Sequence, residues 1–142
     1  MKKNPLFLLP LLLLSLIILS ACGNAQPVAT LNGTSWKLIS FGPVANPTLA
    51  VSDSKASLLF DNQGRMSGNA GCNGFSGDYK YANGQLMPGT LMSTMMACSD
   101  SLMQQESAML ETLNGTLKIE IDKDTLRIYS ADGQSLLTFS RQ

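Results

Sequence analysis

Residues 67 to 79 constrain the fold of this chain more than any other stretch. They read Ser-Gly-Asn-Ala-Gly-Cys-Asn-Gly-Phe-Ser-Gly-Asp-Tyr, so four glycines, two asparagines and a cysteine interrupt otherwise strand-like sequence. Glycine permits positive φ and close backbone approach, and asparagine tolerates left-handed geometry. The composition therefore predicts a sharply bent or bulged segment in a β-structure, with Cys72 at its centre.

The first 21 residues read as an export signal and not as part of the fold. A positive leader, Met1-Lys2-Lys3, precedes an apolar run that ends in Leu19-Ser20-Ala21-Cys22. These last four residues resemble the lipobox of bacterial lipoproteins, in which cleavage precedes the cysteine and its thiol carries a diacylglycerol. We therefore expect a lipoprotein signal peptide over residues 1–21 and lipidation at Cys22, which anchors the chain without spanning the membrane. An uncleaved anchor and ordinary secretion are the alternatives.

The sequence after the signal indicates one small, acidic, tethered domain. Gly23 follows Cys22 where aspartate could stand, and by resemblance to enterobacterial lipoprotein sorting this favours the outer membrane, facing the periplasm. Residues 22–30 show no periodicity and read as the lipidated cysteine and a flexible tether. Residues 31–142 have the length of a single domain, expected to be a monomer. Beyond residue 21, eight basic residues against ten acidic ones give a net charge of −2, with no basic patch to hold nucleic acid.

Short alternating segments dominate the remainder of the chain. In residues 34–41 the alternation places Trp36, Leu38 and Ser40 on one face and Phe41 on the other; Trp36 is either a core anchor or a platform for stacking a ligand. Residues 42–54 carry two prolines and read as a loop or irregular edge. Further strands are predicted at 56–61, from 65, and at 79–81, 85–87, 91–96, 116–121, 125–130 and 135–140.

One segment has helical spacing. Between Asp100 and Leu113 the apolar residues fall on one helix face, while glutamine and glutamate, including Gln105 and Glu106, fall elsewhere. Ser101 with Gln104 fits a capping box. The predicted fold is therefore mainly β (α+β): a curved antiparallel sheet or open β-barrel of about seven to eight short strands, with one helix packed on it.

The few cysteines and the absence of histidine limit the catalytic and metal-binding sites that this chain could form. Once Cys22 is lipidated, Cys72 and Cys98 are the remaining thiols, and an exported chain favours a disulfide between them. A redox pair would lack the Cys-x-x-Cys spacing, and a zinc site would lack histidine ligands. Without histidine, Ser-His and Cys-His catalysis are excluded, and the glycines are not followed by a phosphate-loop Lys-Ser/Thr. We expect no catalytic residues, no metal site and no cofactor.

Six methionines cluster within one third of the chain after the signal: Met87, Met92, Met95, Met96, Met103 and Met109. Methionine commonly fills irregular gaps between a helix and a curved sheet. Thioethers are also soft ligands suited to Cu(I). A third interpretation is an adaptable apolar pocket for a lipid or a partner's tail. The candidate lining residues of that pocket are Trp36, Met87, Met95, Met96, Met103 and Met109.

Several motifs together resemble a known family. They are Leu-Asn-Gly-Thr-Ser-Trp at 31–36, Gly-Asn-Ala-Gly-Cys-Asn-Gly-Phe-Ser-Gly at 68–77, Thr-Met-Met-Ala-Cys at 94–98, Gln-Glu at 105–106 and Asp-Gly at 132–133. The set resembles the META domain, the HslJ-like family of heat-shock-associated outer-membrane lipoproteins. The resemblance covers nearly all of residues 31 to 140 and implies a single-helix, open barrel-like domain.

The same resemblance implies links to heat shock and antibiotic tolerance but brings no catalytic residues. We therefore expect a non-enzymatic envelope lipoprotein that acts through contacts with an envelope protein partner. The alternative is a binder of a lipid or another apolar ligand, held in the methionine-lined pocket between helix and sheet.

Overall fold

The computed structural model describes residues 30–142, which form a closed antiparallel β-barrel with one helix across an end. This confirms the mainly β, single-domain prediction. The elements in chain order are β1 (Thr34–Pro43), β2 (Thr48–Leu49), β3 (Ser57–Phe60), β4 (Arg65–Asn69), β5 (Gly74–Ala82), β6 (Gln85–Pro88), β7 (Met92–Ser93), α1 (Asp100–Thr112), β8 (Leu117–Asp122), β9 (Thr125–Tyr129) and β10 (Ser135–Arg141). In this part of the chain no helix has the length and apolarity needed to cross a bilayer.

Eight of the strands make the barrel wall, in the order β1, β3, β4, β5, β6, β8, β9 and β10. The first and last strands close it, because β10 pairs with β1 over seven residue pairs, from Trp36 opposite Arg141 to Pro43 opposite Ser135. Strands β2 and β7 are two-residue additions that pair with β1 and β5 outside the ring. Closure leaves no long unpaired edge on the barrel.

The barrel interior is the apolar core, built from inward-facing residues of alternating strands. Its largest fully buried side chains are Trp36, Phe60, Phe139, Leu31, Leu58, Met66, Leu86, Met109, Leu113, Leu117, Leu126 and Ile128. Strand β1 departs from simple alternation, because its register against β10 shifts between Leu38 and Ser40. The prediction that Phe41 faces away from Ser40 was therefore wrong: both are buried, since the bulge turns Phe41 inward.

Antiparallel strands give the barrel two unlike ends. The loops 44–56, 70–73, 89–116 and 130–134 gather at the end that carries α1, which we call the helix end. Three tight turns and both ends of the described chain lie at the opposite, or entry, end. There the Gln142 N–H donates to the Ser35 carbonyl at 2.9 Å, and the Gly33 N–H donates to the Phe60 carbonyl at 2.8 Å.

The glycine-rich stretch is mostly strand. Its first residues complete β4 and its last begin β5, so only residues 70–73 turn the chain, with Gly71 at φ 132°. The strand glycines allow close approach: a Cβ on Gly77 would lie 2.6 Å from the Thr90 carbonyl oxygen. The predicted bend is thus confined to four residues, and the other glycines let neighbouring backbone pack against the strands.

Helix α1 spans the predicted segment but is capped differently at its N-terminus. Its N-cap is Ser99, in extended geometry and without a side-chain capping bond, whereas Ser101 lies inside the helix. The predicted Ser101–Gln104 capping box was therefore wrong. At the other end the Leu113 N–H donates to the Met109 carbonyl at 3.1 Å, and Gly115 follows at φ 92°.

Candidate functional site

A buried amide, Asn73, organises the helix end. Its side-chain oxygen accepts hydrogen bonds from Thr94 Oγ1 at 2.8 Å and from the Met96 N–H at 2.7 Å. Its Nδ2 donates to the Met96 carbonyl at 3.1 Å and to Glu106 Oε1 at 2.8 Å. One side chain therefore ties three segments together: the 70–73 turn, the helix, and residues 92–98, which we call the methionine loop.

The helix supplies the other half of this network from its buried face. Glu106 Oε2 accepts the Asn73 backbone N–H at 2.6 Å. Gln105 accepts the Val51 N–H at 2.7 Å through Oε1 and donates to the Ala70 carbonyl at 3.2 Å through Nε2. Buried backbone groups need such partners, and these loops have no strand neighbours there to provide them.

The predicted helix face was therefore wrong in part. Gln105 and Glu106 were expected away from the apolar face, yet both are buried together with Met109 and Thr112. Met103 was expected on the apolar face and is 38% exposed. The polar pair turns inward because satisfying the loop backbone outweighs the cost of burying the two side chains.

A disulfide reinforces the same junction. The Cys72 and Cys98 sulfurs lie 2.04 Å apart, with the two Cα atoms 5.9 Å apart. The bond joins the 70–73 turn to the residue before the N-cap Ser99. The methionine loop is thus held near its middle by hydrogen bonds to Asn73 and at its end by the disulfide at Cys98.

The structure does not bring the predicted pocket residues together. Trp36 and Met109 are fully buried in the core, and Met87 is half-buried in β6. The three methionines of the methionine loop are exposed: Met92 at 69%, Met95 at 96% and Met96 at 58%. The predicted set is therefore divided between the core and the surface, since Met103 is also partly exposed and the methionine loop points its thioethers to solvent.

Trp36 is a core residue and not a stacking platform. Its indole Nε1 donates to Thr34 Oγ1 at 2.7 Å, and its ring is covered by the Arg141 guanidinium at 4.3 Å from the ring centroid. Since the side chain has no exposed surface, a ligand cannot stack on it without opening the entry end.

A different recess lies beside the helix. It has a volume of about 340 Å³, and we call it the leucine cleft. Its lining residues are Gly89, Thr90, Leu91, Ser93, Leu110, Leu113 and Asn114. It lies beside the shortest strand pairing of the barrel wall. There β6 and β8 pair only at Gln85 with Lys118 and at Leu86 with Leu117. The sequence offered one signal for it, the Pro88-Gly89 break that ends β6.

The leucine cleft carries apolar and neutral hydrogen-bonding groups. Leu91, Leu110 and Leu113 supply the apolar wall, while Thr90, Ser93 and Asn114 supply polar side chains. No lining residue is ionisable, so the cleft offers neither a general acid nor a general base. Its chemistry suits binding of a small apolar or neutral group.

Ionisable groups with shifted pKa values lie outside the cleft. The N–H groups of Arg65 and Gln63 lower the pKa of Asp61. On β8, the Lys118 ammonium bonds Glu120 at 2.8 Å, which lowers the pKa of the glutamate and raises that of the lysine.

The Ser130 hydroxyl and the Gln134 N–H likewise lower the pKa of Asp132. All of these shifts favour the charged form in turns and on strand β8, where they support structure. Residues 30–142 contain no group of three or more histidine, cysteine, aspartate or glutamate side chains placed to hold a metal ion. The predicted lipidation site, Cys22, lies outside the described residues.

Comparisons with known proteins agree with this architecture. An NMR structure of a protein from Burkholderia xenovorans has a TM-score of 0.67 and 25% sequence identity, covering 84% of this chain and 96% of that one. A second NMR structure has a TM-score of 0.61 and 25% identity, covering 78% and 90%.

A crystal structure of a DUF4847 family protein from Bacteroides vulgatus ATCC 8482 shares the fold at 13% identity and a TM-score of 0.57, covering 78% of this chain and 93% of that one. No curated protein matches the chain. The model of the META domain matches residues 29–142, which is most of the sequence. This chain therefore belongs to the META domain family.

Proposed function

We propose that this protein is a lipid-anchored component of the bacterial cell envelope that works through protein contacts and not through catalysis, in envelope stress or antibiotic tolerance. The META domain is not a known enzyme family. The observation that carries the proposal is the methionine loop, which exposes three methionine side chains from a backbone fixed by Asn73 and the Cys72–Cys98 disulfide.

Such a loop has the properties of a contact surface. Exposed apolar side chains on a soluble domain mark interaction sites when they cluster, and three of the seven residues of the methionine loop are exposed methionines. Methionine adapts its shape to varied partners. Because the backbone is already held in place, little conformational entropy is lost when a partner binds.

The position of the loop supports the same proposal. Thr30 lies at the entry end of the barrel, eight residues after Cys22 in the sequence, whereas the methionine loop lies at the helix end. A lipid on Cys22 would therefore place the entry end nearer the outer membrane. The methionine loop would then face the periplasm, where an envelope protein partner can reach it.

Site-specific photo-crosslinking in living cells tests this proposal. A photoreactive amino acid at Met95 should give a discrete crosslinked protein band, identified by mass spectrometry. The same residue at Gln63, an exposed position in the β3–β4 turn at the entry end, is the matched control. Crosslinks that are absent at Met95, or equal at both positions, would refute a partner bound at the loop.

The leucine cleft supports a second candidate function, binding of a lipid or another apolar ligand. Its supporting observation is the three-leucine wall at the gap between β6 and β8. Native mass spectrometry of protein extracted with its native lipids should show a bound mass. Leu110→Gln should abolish that mass, whereas Leu49→Gln, at an exposed position outside the cleft, should retain it. An unliganded spectrum of the unaltered protein would refute the candidate.

A further inference from the structure

The exposed thioethers are the most readily oxidised groups described on this surface. Both cysteines within residues 30–142 are joined in one disulfide, so neither offers a thiolate to an oxidant. Trp36, the single tryptophan, is fully buried. Methionine oxidation follows exposure, and Met92, Met95 and Met96 stand together in one short loop.

We propose that the methionine loop is a site of two-electron oxidation by a peroxide or by hypochlorous acid. In each event the methionine sulfur gains one oxygen and becomes a sulfoxide. Hydrogen peroxide is reduced to water, or hypochlorous acid to chloride and a proton. No thiol, metal or cofactor of this chain takes part in the step.

The differences in burial among the methionines determine which of them are oxidised. Met95 is almost fully exposed at 96%, whereas Met66 and Met109 have no exposed surface. An oxidant reaches the two core methionines only when the barrel opens, and proteins of ordinary stability are open for a very small fraction of the time. Oxidation should therefore concentrate in the methionine loop and leave the core unmodified.

The hydrogen-bonding pattern makes the modification compatible with the fold. Asn73 holds the loop through the Met96 backbone N–H and carbonyl and through the Thr94 hydroxyl, none of which involves a thioether. Converting the exposed sulfurs to sulfoxides removes little buried apolar contact. The result is a barrel of unchanged stability whose exposed loop has changed from apolar to polar.

This inference is independent of the protein contact proposed above, because it concerns the protein alone. The test treats the full-length protein, extracted from the envelope in mild detergent, with limiting hydrogen peroxide. Peptide mass spectrometry then follows each methionine separately. Met95, Met92 and Met96 should be oxidised faster than Met66 and Met109 by about a hundredfold or more, since the core sites react only through rare opening.

Two controls make the test decisive. A Met92→Leu, Met95→Leu, Met96→Leu variant keeps the apolar surface, and its fastest remaining site should be the partly exposed Met103. The oxidised unaltered protein should show the same urea unfolding midpoint as the untreated one. Comparable oxidation rates for Met66 and Met95, or a lowered midpoint when only loop methionines are oxidised, would overturn the proposal.

Discussion

Glu106 accepts two hydrogen bonds from Asn73, one from the backbone N–H at 2.6 Å and one from the side-chain amide at 2.8 Å. The two residues are 33 positions apart in sequence and both are buried. The carboxylate thus sits where a strand neighbour would sit and completes the backbone of the 70–73 turn. This pair positions the methionine loop, because the same Asn73 amide holds Met96.

Removing the Glu106 carboxylate should destabilise the barrel. Glu106→Ala leaves the buried Asn73 N–H without its partner, which should lower the free energy of unfolding by about 2 to 3 kcal/mol. Glu111→Ala is the control: this exposed residue bonds only the Ser107 hydroxyl, at 3.3 Å, and should change stability by less than about 0.5 kcal/mol. Urea unfolding measures both. Equal stability of the two variants would contradict the role given to Glu106.

Loss of the disulfide should cost more. Cys72 and Cys98 are 26 residues apart, and closing a loop of that length stabilises the folded state by about 3.5 kcal/mol on the chain-entropy estimate. The Cys72→Ser, Cys98→Ser double variant should lose roughly this amount in urea unfolding under oxidising conditions. A count of two reactive thiols in the unreduced, unfolded protein would show that the bond does not form in the cell.

A substitution at Gly77 tests how closely the wall of the leucine cleft packs against β5. In Gly77→Ala the new methyl group would lie 2.6 Å from the Thr90 carbonyl oxygen and 2.8 Å from Leu91 Cδ2, so this wall must move. We expect a loss of about 1 to 3 kcal/mol. In the same strand, Gly74→Ala meets nothing closer than the Gly68 carbonyl oxygen at 3.6 Å and should be well tolerated. Thermal unfolding of both variants measures the difference. A Gly77→Ala variant as stable as the unaltered protein would argue against close packing of Thr90 and Leu91 on β5.

Asp61 should make stability depend on acid pH. Its folded pKa is below the ordinary 3.8 because the Arg65 and Gln63 N–H groups stabilise the carboxylate. The resulting stabilisation is present above the unfolded pKa and is lost as pH falls through the lower, folded pKa. Asp61→Asn should therefore flatten the fall in unfolding midpoint between about pH 5 and pH 2. Asp132→Asn should act in the same direction, and profiles that match the unaltered protein would contradict both assignments.

The proposed anchor makes a separate prediction. Cys22→Ala removes the thiol expected to carry the diacylglycerol, so cells fed labelled palmitate should no longer label the protein. The Cys72→Ser, Cys98→Ser variant keeps Cys22 and should still be labelled. Label that persists in Cys22→Ala would place the acyl chain elsewhere, and an unlabelled parent protein would refute the lipoprotein proposal.

Local sequence predicted most of the strands, because alternation reports burial directly, but the strand predicted at 91–96 is reduced to Met92–Ser93. Leu117 and Ile119 face the core as their spacing requires, and Asn83 and Gly84 take the positive φ values of 53° and 75° that a tight hairpin needs. Phe41 escaped the pattern because the β1 bulge depends on the register of β10, which is distant in sequence.

The helix end was harder to predict for the same reason. Gln105 and Glu106 are buried because their partners are backbone groups of Val51, Ala70 and Asn73, which local periodicity does not reveal. The apolar character of Met95 suggested burial, but its exposure is set by how Asn73 holds the neighbouring backbone. Hydrophobicity indicates which residue types are usually buried, but it does not show which apolar side chains a fixed loop backbone leaves exposed.

The closure of β1 against β10 also decides how this barrel bears mechanical load. Their hydrogen bonds run across the strands, and the pairing begins with Trp36 and Arg141 beside both ends of the described part of the chain. A pull between Thr30 and Gln142 would unzip the pair one bond at a time. A pull between Thr30 and a protein gripping Met96 runs along the strands and shears many bonds together. The barrel should therefore withstand tension between Thr30 and a protein bound at the methionine loop better than tension between Thr30 and Gln142.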